Sequence, residues 1–189
     1  MTDITPVGFK IALDKFLTQL KKAKRSSATV VAYSGDLMQV LNYFEAKRIT
    51  QVTTITADML KEYLDSLFTN GYTPKSISRK INSLKTFFKF CLQEGILLDN
   101  PTANINHPKI ENAPPRILNP VEYRGLRDAC RLDIRLAAIV ELLMQTGIRI
   151  SELANLQIED IKKNELVIQP LENNPIRTIP LNKSAAQAI

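Results

Sequence analysis

The chain has 189 residues, 44% of them hydrophobic, and carries a net charge of +6. That length and apolar content suffice for one large or two small globular domains with a buried core, and they exclude a disordered chain. No run of about 18 apolar residues occurs, and the start MTDITPVGFK lacks the charged and then apolar pattern of a signal peptide, so we expect a cytoplasmic protein without membrane contact.

Three helices with clear boundary signals are predicted in the first 70 residues. Residues 9 to 24 place apolar side chains at helical spacing and end in a basic cluster. Ser26 or Ser27 is a suitable cap for the second helix. Thr56 opens the third, which ends at Asn70-Gly71 because glycine accepts a left-handed backbone.

A fourth helix begins at Thr73-Pro74 and runs to about Glu94-Gly95. Its apolar and polar residues both repeat every three or four positions, on opposite sides of the helix. The apolar face comprises Ile77, Ile81, Leu84, Phe88 and Cys91, and the polar face comprises Lys75, Arg79, Asn82, Thr86 and Lys89. One side of this helix therefore packs, and the other is basic and polar.

The excess positive charge lies entirely in the first part of the chain. Residues 1 to 110 contain 15 Lys and Arg against 9 Asp and Glu, whereas residues 111 to 189 contain 10 of each. Such an excess attracts polyanions, which makes nucleic acid or an anionic membrane the expected partner. An ordinary solvated surface is the alternative.

A proline-rich segment separates this helical part from the rest. Residues 101–118 include Pro101, Pro108 and Pro114-Pro115, and they contain few large apolar side chains. Proline fixes its own φ and favours an extended residue before it. We therefore expect a semi-extended linker between a domain at 1–100 and a second at 119–189.

The second domain is predicted to be mixed α and β. Asn119-Pro120 begins a helix that runs to Cys130, and a further apolar helix ends at Thr146-Gly147. After a short helix the pattern changes to period two, which predicts two strands, Leu166–Ile168 and Arg177–Ile179. The last residues resemble the beginning of another helix, so we expect this domain to be truncated.

No metal site is predicted. Cys91 and Cys130 lie within apolar helical patterns and have no Cys or His partner at metal-ligand spacing, so we expect buried thiols. The single histidine, His107, lies in the linker and cannot form a histidine-based metal site alone.

The most specific string in the sequence runs from Thr146 to Leu153, Thr-Gly-Ile-Arg-Ile-Ser-Glu-Leu. Gly147 allows a sharp helix end, which presents Arg149 at the start of a new short helix. Arginine is suited to binding two phosphate oxygens at once, and Glu152, one turn later, is placed to hold its guanidinium. An ordinary surface ion pair between these two residues is the alternative.

This string resembles the first catalytic box of the tyrosine recombinases of the phage-integrase and Xer type, and Asp160-Ile161 matches the acidic-aliphatic pair that follows the box in that family. The upstream half agrees in less specific motifs, which are Ser27-Ala28-Thr29, Tyr33, Asp36-Leu37, Ile77-Ser78-Arg79 and Asn100-Pro101. The resemblance implies a mainly α fold, with a four-helix SAM-like core-binding domain followed by the start of an α+β catalytic domain.

Such enzymes form a 3′-phosphotyrosine on DNA and exchange strands without a cofactor. The resemblance implies that Arg149 binds the scissile phosphate and that Glu152 supports it. The implied partner is a double-stranded DNA recombination site in the nucleoid. The whole protein is expected to be a tetramer on DNA, and this fragment a monomer in solution.

The sequence departs from the family pattern at a catalytic lysine between the two strands. Residues 164 to 182 contain no lysine, and the turn offers Glu172, Asn173, Asn174 and Arg177 instead. We therefore assign no residue to that role. All five tyrosines precede Arg149, whereas the family's nucleophile follows it, so we expect no nucleophile in this chain and no catalysis by it alone.

The resemblance places the end of the first helix, the start of the second and the polar face of the fourth against DNA. The residues expected to contact DNA are Lys21, Lys22, Lys24, Arg25, Ser27, Thr29, Lys75, Ser76, Arg79, Lys80, Asn82, Ser83 and Lys85. Because phosphate contacts carry little sequence information, Arg79 and Asn82 are better candidates for base contacts than the lysines.

Two other functions remain open. A non-catalytic DNA-binding adaptor that has naturally lost its catalytic end is consistent with the missing lysine. A helical protein-interaction scaffold would require the basic face of the fourth helix to be incidental.

Overall fold

The computed structural model describes residues 7–111, 114–171 and 174–189, which form two compact units, the first made of residues 7–111 and the second of residues 114–171 and 174–189. The helices are α1 Phe9–Lys22, α2 Ser27–Ala46, α3 Ala57–Thr69, α4 Pro74–Gln93, α5 Pro120–Cys130, α6 Ile134–Thr146, α7 Ile150–Ala154 and α8 Lys183–Ala188. Strands β1 Glu165–Ile168 and β2 Arg177–Pro180 form an antiparallel pair, and short 3-10 turns occupy Val52–Thr54 and Ile158–Asp160. The predicted mainly α fold is confirmed.

The helices of the first unit begin where their capping residues predict. The Ser26 hydroxyl accepts a hydrogen bond from the Thr29 amide at 3.1 Å, and Thr56 and Thr73 cap α3 and α4 in the same way. Each such cap stabilises its helix by about 1 kcal/mol. Gly71, after α3, has a φ of 78°, as its predicted left-handed conformation requires.

An aromatic cluster joins α1 and α4 in the core of the first unit. The Phe9 and Phe87 rings stack with centroids 5.1 Å apart, and Phe16 packs edge-on against Phe87 at 5.6 Å. All three side chains are buried. Burying a phenylalanine is worth roughly 1.5–3 kcal/mol, so this cluster fixes α4 against α1.

The first unit extends beyond residue 100, the end that the helical pattern predicts. Thr102 and Ile105 are buried, and Ile105 belongs to the apolar core of this unit. The Asn100 side chain accepts hydrogen bonds from both the amide and the hydroxyl of Thr102. The first residues of the predicted linker are thus part of the helical unit.

The second unit has a small apolar core beneath its strand pair. Leu166 pairs with Ile179 across the two strands, and Leu166 packs with Ile148 and Ile168, both buried. Asn119 caps α5 as predicted, and Glu122 accepts the Asn119 amide in return. Burial of Ile148 in this core fixes the segment that follows α6.

Both thiols are buried, as predicted, at Cys91 and Cys130. Within residues 7–111, 114–171 and 174–189, none of the helices is long and apolar enough to cross a membrane.

Candidate functional site

The backbone around Arg149 is fixed by its apolar neighbours. Gly147 ends α6 in a left-handed conformation, with a φ of 64°, and its amide donates to the Leu143 carbonyl. Ile148 is then buried, while Arg149 immediately precedes α7 and keeps 60% of its side chain exposed. The guanidinium is therefore presented to solvent from an anchored backbone.

Glu152 connects two arginines. Its side chain is fully buried and accepts the Arg149 amide at 2.8 Å and Arg149 Nη1 at 3.1 Å. Arg177, on β2, donates Nη1 and Nη2 to the two Glu152 oxygens at 2.7 and 2.8 Å. The predicted support of Arg149 by Glu152 is thus present as a contact, and Arg177 is a second partner that the sequence did not predict.

This arginine–glutamate–arginine group, formed by Arg149, Glu152 and Arg177, carries one net positive charge. Arg177 binds the Glu152 carboxylate through both terminal nitrogens. Among the described residues, the Arg149 side chain makes a single hydrogen bond, which is also to Glu152. The remaining N–H groups of Arg149 are therefore available to an anion. Such a preorganised guanidinium suits two oxygens of one phosphate.

We expect the Glu152 contacts to make the second unit sensitive to acid. Hydrogen bonds from Arg177, and then from the Arg149 amide, lower the pKa of Glu152 from 4.5 to about 2. A lowered folded-state pKa stabilises the fold fully above the unfolded-state value and loses that effect as the pH falls towards the folded-state value. The stability supplied by Glu152 is therefore expected to disappear between about pH 4.5 and pH 2.

Thermal unfolding followed by circular dichroism from pH 6 to pH 2 checks this expectation. Other carboxylates titrate in the same range, so the test is the difference between the native chain and Glu152→Gln. That difference should be largest at neutral pH and vanish near about pH 2. A difference that stays constant with pH would contradict the assignment.

The structure describes only part of the turn between β1 and β2, where the tyrosine recombinases are expected to have a catalytic lysine. Glu172 and Asn173 lie outside the described residues, whereas Asn174 and Leu171 form an isolated bridge. Arg177 is the cationic residue that the sequence offers here in place of the lysine. Its two terminal nitrogens contact Glu152, so it holds the arginine–glutamate–arginine group together.

A basic cluster covers the turn between α1 and α2. Lys21, Lys22, Lys24 and Arg25 are all exposed, and Lys24 has a φ of 52°. A non-glycine residue in this left-handed region costs about 1 kcal/mol. Nearby, Ser27 is exposed at the first position of α2, and the half-buried Thr29 contacts the Ser26 hydroxyl at 2.7 Å. The turn thus places a lysine in the left-handed conformation beside three other cations.

The polar face of α4 is narrower than the sequence predicts. Lys75, Arg79 and Asn82 are exposed, and Ser76 and Lys85 are half-buried. Lys80 and Ser83 are buried, with 6% and 0% of their surface exposed. The expectation that these two side chains contact DNA is therefore wrong, because both point into the interface with α2.

The partner of these buried groups is Asp36 of α2. Its carboxylate accepts Arg79 Nη1 at 2.5 Å and Nη2 at 2.7 Å, Lys80 Nζ at 3.0 Å and the Ser83 hydroxyl at 2.8 Å. We call this set of four residues the Asp36 cluster. The sequence gives one sign of this cluster, because Asp36 directly precedes Leu37, which belongs to the apolar face of α2.

Two family models match the chain, one for each unit. The model described as phage integrase, N-terminal SAM-like domain, matches residues 13–95, and the model described as phage integrase family matches residues 116–189. Among curated relatives, tyrosine recombinase XerD of Rickettsia bellii is 31% identical over 82% of this chain, and tyrosine recombinase XerC of Staphylococcus epidermidis is 33% identical over 93%. The chain belongs to the tyrosine recombinase family.

This tyrosine recombinase chain spans 52% of the length of the Rickettsia protein and 61% of that of the Staphylococcus protein. Its fold is similar to that of solved integrases. A lambda integrase tetramer bound to a Holliday junction superimposes with a TM-score of 0.76 at 22% identity, covering 98% of this chain and 54% of the integrase. The Tn1549 transposon integrase in complex with a circular intermediate DNA gives 0.70 at 19% identity, covering 94% and 63%.

Proposed function

We propose that residues 1–189 form the DNA-binding part of a site-specific tyrosine recombinase that cuts and rejoins duplex DNA in the cytoplasm through a 3′-phosphotyrosine. The observation that carries this proposal is the exposed Arg149 guanidinium, held by a buried carboxylate within a chain of this family. The DNA-bound state of solved integrases with the same fold supports a DNA partner.

Arg149 has the chemistry of a phosphate ligand in this proposal. It binds the non-bridging oxygens of the scissile phosphate and stabilises the negative charge that develops there during strand cleavage. Glu152 fixes its position, and Arg177 holds Glu152. Because contacts within the protein fix the Arg149 guanidinium, little reorganisation is needed when it binds a phosphate.

The main DNA-contacting surface is assigned to the first unit. The exposed and half-buried residues at the α1–α2 turn and on α4 contact the duplex, with Lys80 and Ser83 removed from the predicted set. The remaining residues are Lys21, Lys22, Lys24, Arg25, Ser27, Thr29, Lys75, Ser76, Arg79, Asn82 and Lys85.

None of the five tyrosines is proposed as the nucleophile. Tyr63 is buried, and Tyr33, Tyr43 and Tyr123 are half-buried on helices. Tyr72 is more exposed, but its hydroxyl accepts a hydrogen bond from Gln39 within the helical unit. Residues 1–189 alone are therefore expected to bind DNA as a monomer without cutting it, while the whole recombinase acts as a tetramer.

A salt titration tests the DNA-binding function. With about six phosphate contacts, affinity for a 30-base-pair duplex should fall roughly a thousandfold between 50 and 200 mM salt, because each contact releases condensed counterions. Fluorescence anisotropy measures this slope. No binding at 50 mM salt would contradict the proposal and favour a protein-interaction scaffold.

A non-catalytic DNA-binding adaptor is the second candidate. The absence of lysine between residues 164 and 182 favours it, because the family places an acid there. Incubating the protein expressed from its native gene with a nicked duplex separates the two functions. A DNA adduct that resists detergent and is removed by protease identifies a recombinase, whereas binding without an adduct identifies an adaptor.

A further inference from the structure

We propose that Asp36 is a positioning residue that holds the Arg79 guanidinium with one edge free, so that Arg79 donates to acceptors on a base edge rather than to a phosphate. This inference rests on the proposed DNA-binding function. In this inference, a buried side chain of α2 determines how a residue of α4 recognises the DNA sequence.

The geometry of the pair leaves a defined edge of Arg79 unused. Asp36 binds the end of the guanidinium through Nη1 and Nη2, and its own carboxylate is 3% exposed. Within the described part of the chain, Arg79 Nε makes no hydrogen bond, and the side chain is 53% exposed. Nε and the second N–H of Nη2 therefore form a parallel pair of donors.

The Asp36 carboxylate is itself held in place. Lys80 Nζ and the Ser83 hydroxyl donate to its two oxygens at 3.0 and 2.8 Å, and Lys80 also donates to Gln39 at 2.6 Å. Both donors are buried. The orientation of Arg79 is thus fixed by contacts within the protein, which reduces the rotamer entropy that an unrestrained arginine would lose on binding.

The direction of the free donors, rather than charge, favours a base as the acceptor. Arg79 and Lys80 share the Asp36 carboxylate, so the cluster keeps one net positive charge, and Asp36 acts by fixing which edge of the Arg79 guanidinium is free. The O6 and N7 acceptors of guanine match two parallel arginine donors in the major groove. The other exposed cations of this surface remain available to phosphates.

Selection of bound duplexes tests the inference. A pool of 24-base-pair duplexes with a randomised centre is selected with residues 1–189, and the specificity ratio is the affinity for the enriched duplex divided by that for the unselected pool. Arg79→Ala should lower this ratio about tenfold, the loss typical of one bidentate base contact. Asp36→Asn should lower it severalfold, and the double variant should be no worse than Arg79→Ala.

Thr102→Val is the control, because it removes a buried hydrogen bond of the same unit, to Asn100, and leaves Asp36, Lys80, Ser83 and Arg79 unchanged. It should lower the melting temperature and keep the specificity ratio. If Asp36→Asn fails to fold, Arg79→Lys carries the test, since a lysine cannot present paired donors and should match Arg79→Ala.

The outcomes separate this inference from the function beneath it. A wild-type chain that does not bind the pool at low salt overturns the proposed function. Salt-sensitive binding with no enriched sequence, or with an unchanged ratio in Arg79→Ala and Asp36→Asn, overturns only the role of the pair. Independent, multiplying losses in the double variant would also overturn it, because Asp36 would then act through the fold alone.

Discussion

Replacing Asp36 with alanine is expected to destabilise the four-helix unit by about 3–5 kcal/mol, because it leaves a buried cation without its partner. The Lys80 side chain is 7% exposed, and Asp36 is the carboxylate that it contacts. Urea unfolding followed by tyrosine fluorescence measures this loss. The signal reports mainly on this unit, since Tyr33, Tyr43, Tyr63 and Tyr72 all belong to it.

A double variant identifies the cause of that loss. Asp36→Ala combined with Lys80→Met removes both the carboxylate and the buried ammonium, so no unpaired charge remains in the interface. We expect it to recover at least half of the lost free energy of unfolding. A double variant that is less stable than Asp36→Ala would show that packing around Asp36, rather than the unpaired lysine, accounts for the effect.

The Asp36 cluster could not be predicted from the pattern of α4 alone. The repeat Ile77, Ile81, Leu84 correctly predicts one buried face of α4. Lys80 lies between Ile77 and Leu84 on that same face, and its burial depends on a carboxylate 44 residues earlier. Since α4 packs against α1, α2 and α3, its buried surface is wider than a helix packed on one side would have.

The helix boundaries were predictable because their causes are local. Thr73-Pro74 and Asn119-Pro120 each combine a capping oxygen with a proline whose missing N–H costs nothing at the first helical position. Gly147 likewise ends α6 through its own backbone conformation. These signals lie within a few residues of the boundary, so no knowledge of the tertiary structure is needed.

In the candidate phosphate site, the contact between neighbours in sequence was also predictable, whereas the contact between distant residues was not. Arg149 and Glu152 are three residues apart, so helical spacing predicts their contact. Arg177 reaches Glu152 only because β2 pairs in a register that places Arg177 opposite Ile168. A strand register depends on the whole hairpin, which explains why the sequence suggested a charge at Arg177 but not its partner.

Neutralising the basic cluster is expected to have the largest effect on DNA binding. Replacing Lys21, Lys22, Lys24 and Arg25 with glutamine should weaken binding about a hundredfold to a thousandfold at 50 mM salt. The slope of log affinity against log salt should fall by about three to four, close to one for each phosphate contact removed. Anisotropy titrations at several salt concentrations measure both quantities.

The matched control removes the same charge elsewhere. Glutamine at Lys47, Lys61, Lys162 and Lys163, which are all exposed and outside the proposed DNA surface, lowers the net charge by the same four units. These lysines act on DNA only through the long-range field, so affinity should fall less than about tenfold and the salt slope should change little. Equal weakening in both variants would mean that net charge, rather than the turn between α1 and α2, binds the duplex. A loss of affinity and of salt slope confined to the cluster variant would instead show that the turn between α1 and α2 contacts phosphates directly.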